Sequence, residues 1–145
     1  MSLWHKRIGG ISPTVMEVVT YDYYRMAPVD IGFVGITSNI DFWDNEDFDQ
    51  ALASLAKASD YLAARAVDFI IHFGTPLVVS RGPGYDVEVT RLIEQGTGVR
   101  ATTSIRSAID ALNHMGAVRR LKSCIPGSSF RSRRSLLVNQ PHGRR

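Results

Sequence analysis

One stretch of the sequence ends where chemistry can be placed. Val67 to Gly82 reads VDFIIHFGTPLVVSRG, and its apolar run Val67, Phe69, Ile70, Ile71 and Phe73 stops at Gly74-Thr75-Pro76. A short β-branched and aromatic run bounded by turn formers predicts a strand buried on both faces of a parallel sheet. Gly74-Thr75-Pro76 then opens at its carboxyl end, the edge where open α/β sheets bind ligands. The same tripeptide also reads as a plain turn. His72 just ahead is either a core histidine with a satisfied hydrogen bond or a base. Arg81, in the Arg-Gly turn that follows, can pair bidentately with a carboxylate or serve as a solvated turn residue. Glu46, Asp47 and Asp49 suggest a metal site, but a helix start capped by Asp44 accounts for them, because carboxylates favour the positive end of the dipole. The single cysteine, Cys124, lies in a basic stretch and reads as an ordinary free thiol. One cysteine excludes an internal disulfide framework and a cysteine-rich zinc site.

The elements that must position these residues follow from periodicity. Strands are predicted near 7–11, 30–37, 67–73 and 99–103. Gly9-Gly10 weakens the first. Ser12-Pro13-Thr14 follows as a loop, with Pro13 pushing Ser12 toward extended geometry. Val15 to Arg25 is read as a helix leading to Pro28. Phe48, Leu52, Leu55 and Leu62 share one face of a single helix from Asp44 to about Arg65. Another helix runs through Val87, Leu92 and Ile93 and stops at Gly96. Ser104 caps a last helix whose Ile105, Ala108, Ile109, Leu112 and Met115 form an apolar stripe ending at Gly116. Strand and helix alternate, which predicts an α/β fold with a parallel sheet.

Composition sets the limits. At 145 residues, 44% apolar and 21% charged, the chain fits one soluble domain with a real core. No apolar run approaches the roughly 20 residues of a membrane helix, and MSLWHKRIGG lacks the apolar core of a signal peptide. The expected location is cytoplasmic. The net charge of +3 hides an asymmetry, because all 14 acidic residues precede residue 119 while residues 119–145 are basic. The organisation expected is an α/β part over 1–120 and a basic, Arg/Ser-rich, irregular tail over 121–145.

The order of parts carries a resemblance. Gly74-Thr75, Arg81-Gly82, Thr97-Gly98, Thr102-Thr103 and Gly116-Ala117-Val118-Arg119-Arg120 fall in the register of one family. Residues 7–121 resemble the N-terminal half of the aspartate/glutamate racemase superfamily, nearest its arylmalonate decarboxylase and maleate cis-trans isomerase branch. The resemblance implies a flavodoxin-like parallel sheet with helices on both faces, one half of a two-half fold with the active site in the cleft between halves. It implies no metal and no organic cofactor. Where a racemase of this family carries its first cysteine, this chain has Gly74, the arrangement of a decarboxylase whose first half supplies an oxyanion pocket. Thr75 matches that pocket's hydroxyl donor, and Ser12-Pro13 lies near the first substrate loop. Pro76 stands in place of a serine and brings neither hydroxyl nor N–H. Arg81 is a further substrate-binding candidate. The family's second cysteine falls beyond residue 145, and Cys124 is not assigned to it.

The expected function is therefore a cofactor-independent racemase, isomerase or decarboxylase acting on a small carboxylic or dicarboxylic acid through an enediolate. The chain is expected to be a truncated and impaired half, with residues beyond 121 of the kind a reading-frame shift produces, and either a monomer of marginal stability or a homo-oligomer burying its open face. The alternative is a non-catalytic fragment or a carboxylate-binding half domain. Nucleic-acid binding through Arg131, Arg133, Arg134, Arg144 and Arg145 is a weaker alternative, since no aromatic interleaving or groove-reading motif accompanies them.

Overall fold

The predicted alternation of strand and helix is realised in the computed structural model, which describes residues 4–38 and 45–116. In chain order the elements are β1 (Lys6–Ser12), α1 (Glu17–Met26), β2 (Ile31–Thr37), α2 (Asn45–Ala53) and α3 (Leu55–Ala63). They continue with β3 (Phe69–His72), α4 (Thr75–Ser80), α5 (Tyr85–Thr97), β4 (Ala101–Thr103) and α6 (Ser104–His114). All pairings are parallel and the strand order is β2-β1-β3-β4. That is the order of a flavodoxin-like sheet, and β3 lies inside it between β1 and β4. The sheet and α1 to α5 belong to one compact unit ending at Arg106.

Helices cover both faces, as the alternation of side chains along β1 shows. A Cβ on Gly9 would point at Leu62 of α3, whereas one on Gly10 would point at Phe33 and Phe73. Consecutive strand residues face opposite sides. Phe33 in turn packs against Tyr23 of α1, with ring centroids 4.8 Å apart. So α1 lies on one face and α3 on the other, where α5 also contacts it. The fully buried core forms on the α3/α5 face from Ile11, Leu55, Leu62, Ile70, Val89 and Ile93 and their neighbours. Lys6 and the Arg7 N–H both bond the Asp68 carboxylate at 2.8 Å, which ties the start of β1 to the approach of β3 and holds that carboxyl below its ordinary pKa.

Several expectations are corrected. The helix read from Asp44 to Arg65 is two helices. They divide at Ser54, whose hydroxyl donates back to the Ala51 carbonyl at 2.8 Å. Gly74-Thr75-Pro76 does not open a loop but starts α4, where Pro76 occupies the first turn and its missing N–H has no helical partner to lose. α5 ends at Gly98, in the left-handed conformation, and not at Gly96. Its buried face is Val89 and Ile93, while Val87 and Leu92 are exposed. Thr103 caps α6 in place of Ser104, its hydroxyl accepting the Arg106 N–H at 3.1 Å. No residue of α6 is buried, so its apolar stripe stays at least partly open among the described residues. The expectations for Asp44, for Cys124 and for residues 121–145 lie outside the described residues.

Leu62 is fully buried and fills the space above Gly9. Leu62→Ala should lower the unfolding free energy by about 2–5 kcal/mol, read as a lower urea midpoint. A change under about 1 kcal/mol would place the core elsewhere.

Candidate functional site

The connections leaving β1 and β3 run to opposite sides of the sheet, because β1 leads by α1 to β2 and β3 leads by α4 and α5 to β4. A crevice opens at the carboxyl ends of two such strands. The register pairs Ile11 with His72, so Ser12-Pro13 and Phe73-Gly74 flank this switch point. The Phe73 N–H donates to the Ile11 carbonyl at 2.7 Å and the Ser38 N–H to the Ser12 carbonyl at 2.9 Å, which closes the edge from β2 to β3.

Among the described residues, hydroxyls dominate what this edge presents. Thr75, the first residue of α4, is half-buried, and its Oγ1 lies 2.6 Å from Ser104 Oγ at the start of α6. Ser38 Oγ lies 3.3 Å from Ser54 Oγ, which can accept its proton while donating its own to Ala51. Ser12 is buried, and Thr103 is wholly so. His72 is 4% exposed, and its Nδ1 accepts the Gly74 N–H at 3.3 Å. Among the described residues no cluster of His, Cys, Asp and Glu could hold a metal.

Of the residues singled out in the sequence, Ser12, Pro13, Gly74, Thr75 and Pro76 gather at the switch point. Arg81 is placed apart. It follows the six residues of α4, a length of about 9 Å, and its guanidinium pairs with Asp49 of α2. Reading the sequence missed Ser104, because a serine opening a helix has capping as a sufficient explanation. An apolar depression of about 300 Å³, lined by Ile8, Tyr23, Met26, Ala27, Pro28 and Ile31, is set away from these hydroxyls. Its residues belong to β1, α1 and the start of β2, so it is no part of the site.

Burial lowers the His72 pKa from 6.5 to about 4, so the ring is neutral near pH 7. Between those two values the unfolded chain binds a proton that the folded chain does not, so stability rises with pH across the window. It should be complete above pH 6.5 and fall toward pH 4, this group contributing up to about 3 kcal/mol. Urea unfolding from pH 7 to 4 should show that fall, and His72→Asn should flatten it. Parallel profiles for the two proteins would rule out His72 as its source.

The model of the arylmalonate decarboxylase family matches residues 8–124. Among solved structures, a double mutant of arylmalonate decarboxylase in its liganded form matches with a TM-score of 0.69 and 23% identity, over 79% of this chain and 48% of that one. The maleate isomerase Iso from Pseudomonas putida S16 matches with a TM-score of 0.68 and 18% identity, over 79% and 51%. A Nocardia farcinica maleate cis-trans isomerase bound to TRIS gives 0.67 and 17%, over 77% and 49%. The chain thus spans about half the length of the solved structures it matches. No curated protein matches it in sequence. The solved structures agree in fold, and the family model covers most of the sequence: the chain belongs to the arylmalonate decarboxylase family.

Proposed function

We propose that this chain forms the carboxylate-holding side of a cofactor-independent decarboxylase or isomerase acting on a small carboxylic or dicarboxylic acid. The observation that carries this reading is the Thr75–Ser104 hydroxyl pair, 2.6 Å apart beside a residue 74 that has no side chain. When a malonate loses carbon dioxide, the carbon–carbon bond breaks and its electron pair passes into the remaining carboxylate as an enediolate. The barrier falls when fixed donors meet the oxygens on which that charge grows. A hydroxyl that already accepts one hydrogen bond donates the next more strongly. Ser104 donating to Thr75 Oγ1 would therefore orient and sharpen the Thr75 donor.

Decarboxylation is favoured over racemisation by Gly74. Racemisation needs an acid or base on each face of the carbon, and glycine offers none on this face. His72 does not replace it, since its ring is neutral and its Nδ1 is engaged by the Gly74 N–H. In this reading the proton that quenches the enediolate comes from the opposite face of the substrate. Pro76 adds no donor, so the polar contacts fall to Thr75, with Ser12 at the neighbouring strand end. Arg81 would reach a substrate only by leaving Asp49.

A second reading, a carboxylate-binding half domain without turnover, is favoured by the half-length match to the solved relatives. Incubation with an arylmalonate, following carbon dioxide release and optical rotation, separates the two. The expected outcome is release above the uncatalysed rate that falls roughly 10²-fold in Thr75→Ala. Malonate binding by calorimetry without release would support the half domain instead. Release unchanged in Thr75→Ala would remove Thr75 from the mechanism.

A further inference from the structure

Nothing in the backbone at residue 74 demands glycine. Its φ of −96° and ψ of 57° lie on the side of the map open to other residues. What excludes a side chain there is His72. A Cβ built on Gly74 would stand 2.4 Å from His72 Cε1 and 3.2 Å from each ring nitrogen. The ring cannot swing aside as a flexible surface chain does, because it is 4% exposed and its Nδ1 holds the Gly74 N–H. It also lies on the sheet face shared with Thr103, its register partner, which is fully buried. With Nδ1 accepting, a neutral ring carries its proton on Nε2.

We infer that His72 is a positioning residue for the switch-point edge: its imidazole takes the volume of any side chain at position 74 and binds the Gly74 N–H inward. Two consequences follow for the site proposed above, on which this use of the inference rests. The Gly74 N–H is withdrawn from the donors facing a substrate, so hydroxyls carry the polar contacts. A thiol or any other group at position 74 is shut out by a neighbour two residues away and not by backbone geometry. The residues at 72 and 74 therefore behave as one unit, in which a histidine at 72 requires a glycine at 74.

A double-mutant cycle measured by urea unfolding tests this without any substrate. Asparagine is the informative partner at position 72, because its Oδ1 can accept the Gly74 N–H as Nδ1 does while the atoms nearest the added Cβ are gone. Gly74→Ala in the otherwise unchanged chain should lower the folded-to-unfolded ratio at least ~10-fold more than the same change made together with His72→Asn, within the range measured for residues in contact. Nitrogen NMR of the unchanged chain should show His72 with Nδ1 unprotonated and Nε2 protonated. Equal costs of Gly74→Ala in both backgrounds, or a proton on Nδ1, would overturn the inference. If Gly74→Ala prevents folding outright, its recovery by His72→Asn is the same result in stronger form, and failure to recover counts against it. Because the cycle uses no malonate, it can fail while decarboxylation stands, and decarboxylation can fail while the cycle stands.

Discussion

The structure depends on how closely β1 lets its neighbours approach. Gly9 and Gly10 stand side by side in the middle of that strand and face opposite ways. A Cβ on Gly10 would come within 2.5 Å of Phe33 and 2.8 Å of Phe73, and one on Gly9 within 3.0 Å of Leu62. With no side chains at these two points, α3 settles on one face and an aromatic group on the other. β1 can then hold seven residues in register with β2 and four with β3. Glycine weakens an isolated strand by its entropy. Here the loss is offset by apolar groups that reach the sheet from both sides.

That placement leaves the described residues of the switch point largely without charge. Among the described residues the strand ends offer hydroxyls and backbone groups, and the one titratable group among those, His72, is held neutral by burial. An edge of this kind suits a ligand that brings its own negative charge, since a fixed hydroxyl can meet an oxyanion without a buried counter-charge that would itself need desolvation. The Thr75–Ser104 contact joins the start of α4 to the start of α6, so the Thr75 hydroxyl is positioned by two elements and not by one loop.

α4 itself is only six residues long, and its position is set from both ends. Leu77 and Val78 are buried, and the Val78 N–H bonds the Gly74 carbonyl at 2.9 Å. At the other end Arg81 meets Asp49 of α2 in an exposed pair. Such surface pairs contribute about 0–1 kcal/mol, so the apolar contacts dominate in seating the helix. Asp49 of α2 thus meets the turn that follows α4.

Strand and helix alternation, the parallel sheet and the central place of β3 were legible in the sequence, because apolar period and turn residues are local signals that burial only reinforces. The place of Gly74-Thr75 at the carboxyl end of β3 was legible for the same reason, since the apolar run stops there. The cap at Thr103 was not, because it hangs on which of two adjacent hydroxyls finds a backbone partner. The partner of Arg81 was hidden as well, since Asp49 is 32 residues away and only the fold brings them together. Residue types and spacing determined the layers and the strand-end edge where Gly74-Thr75 lies. Which hydroxyl faces which, and why glycine is needed at position 74, was decided by packing: His72 takes its place from the sheet, and the space left at Gly74 is what its ring does not fill.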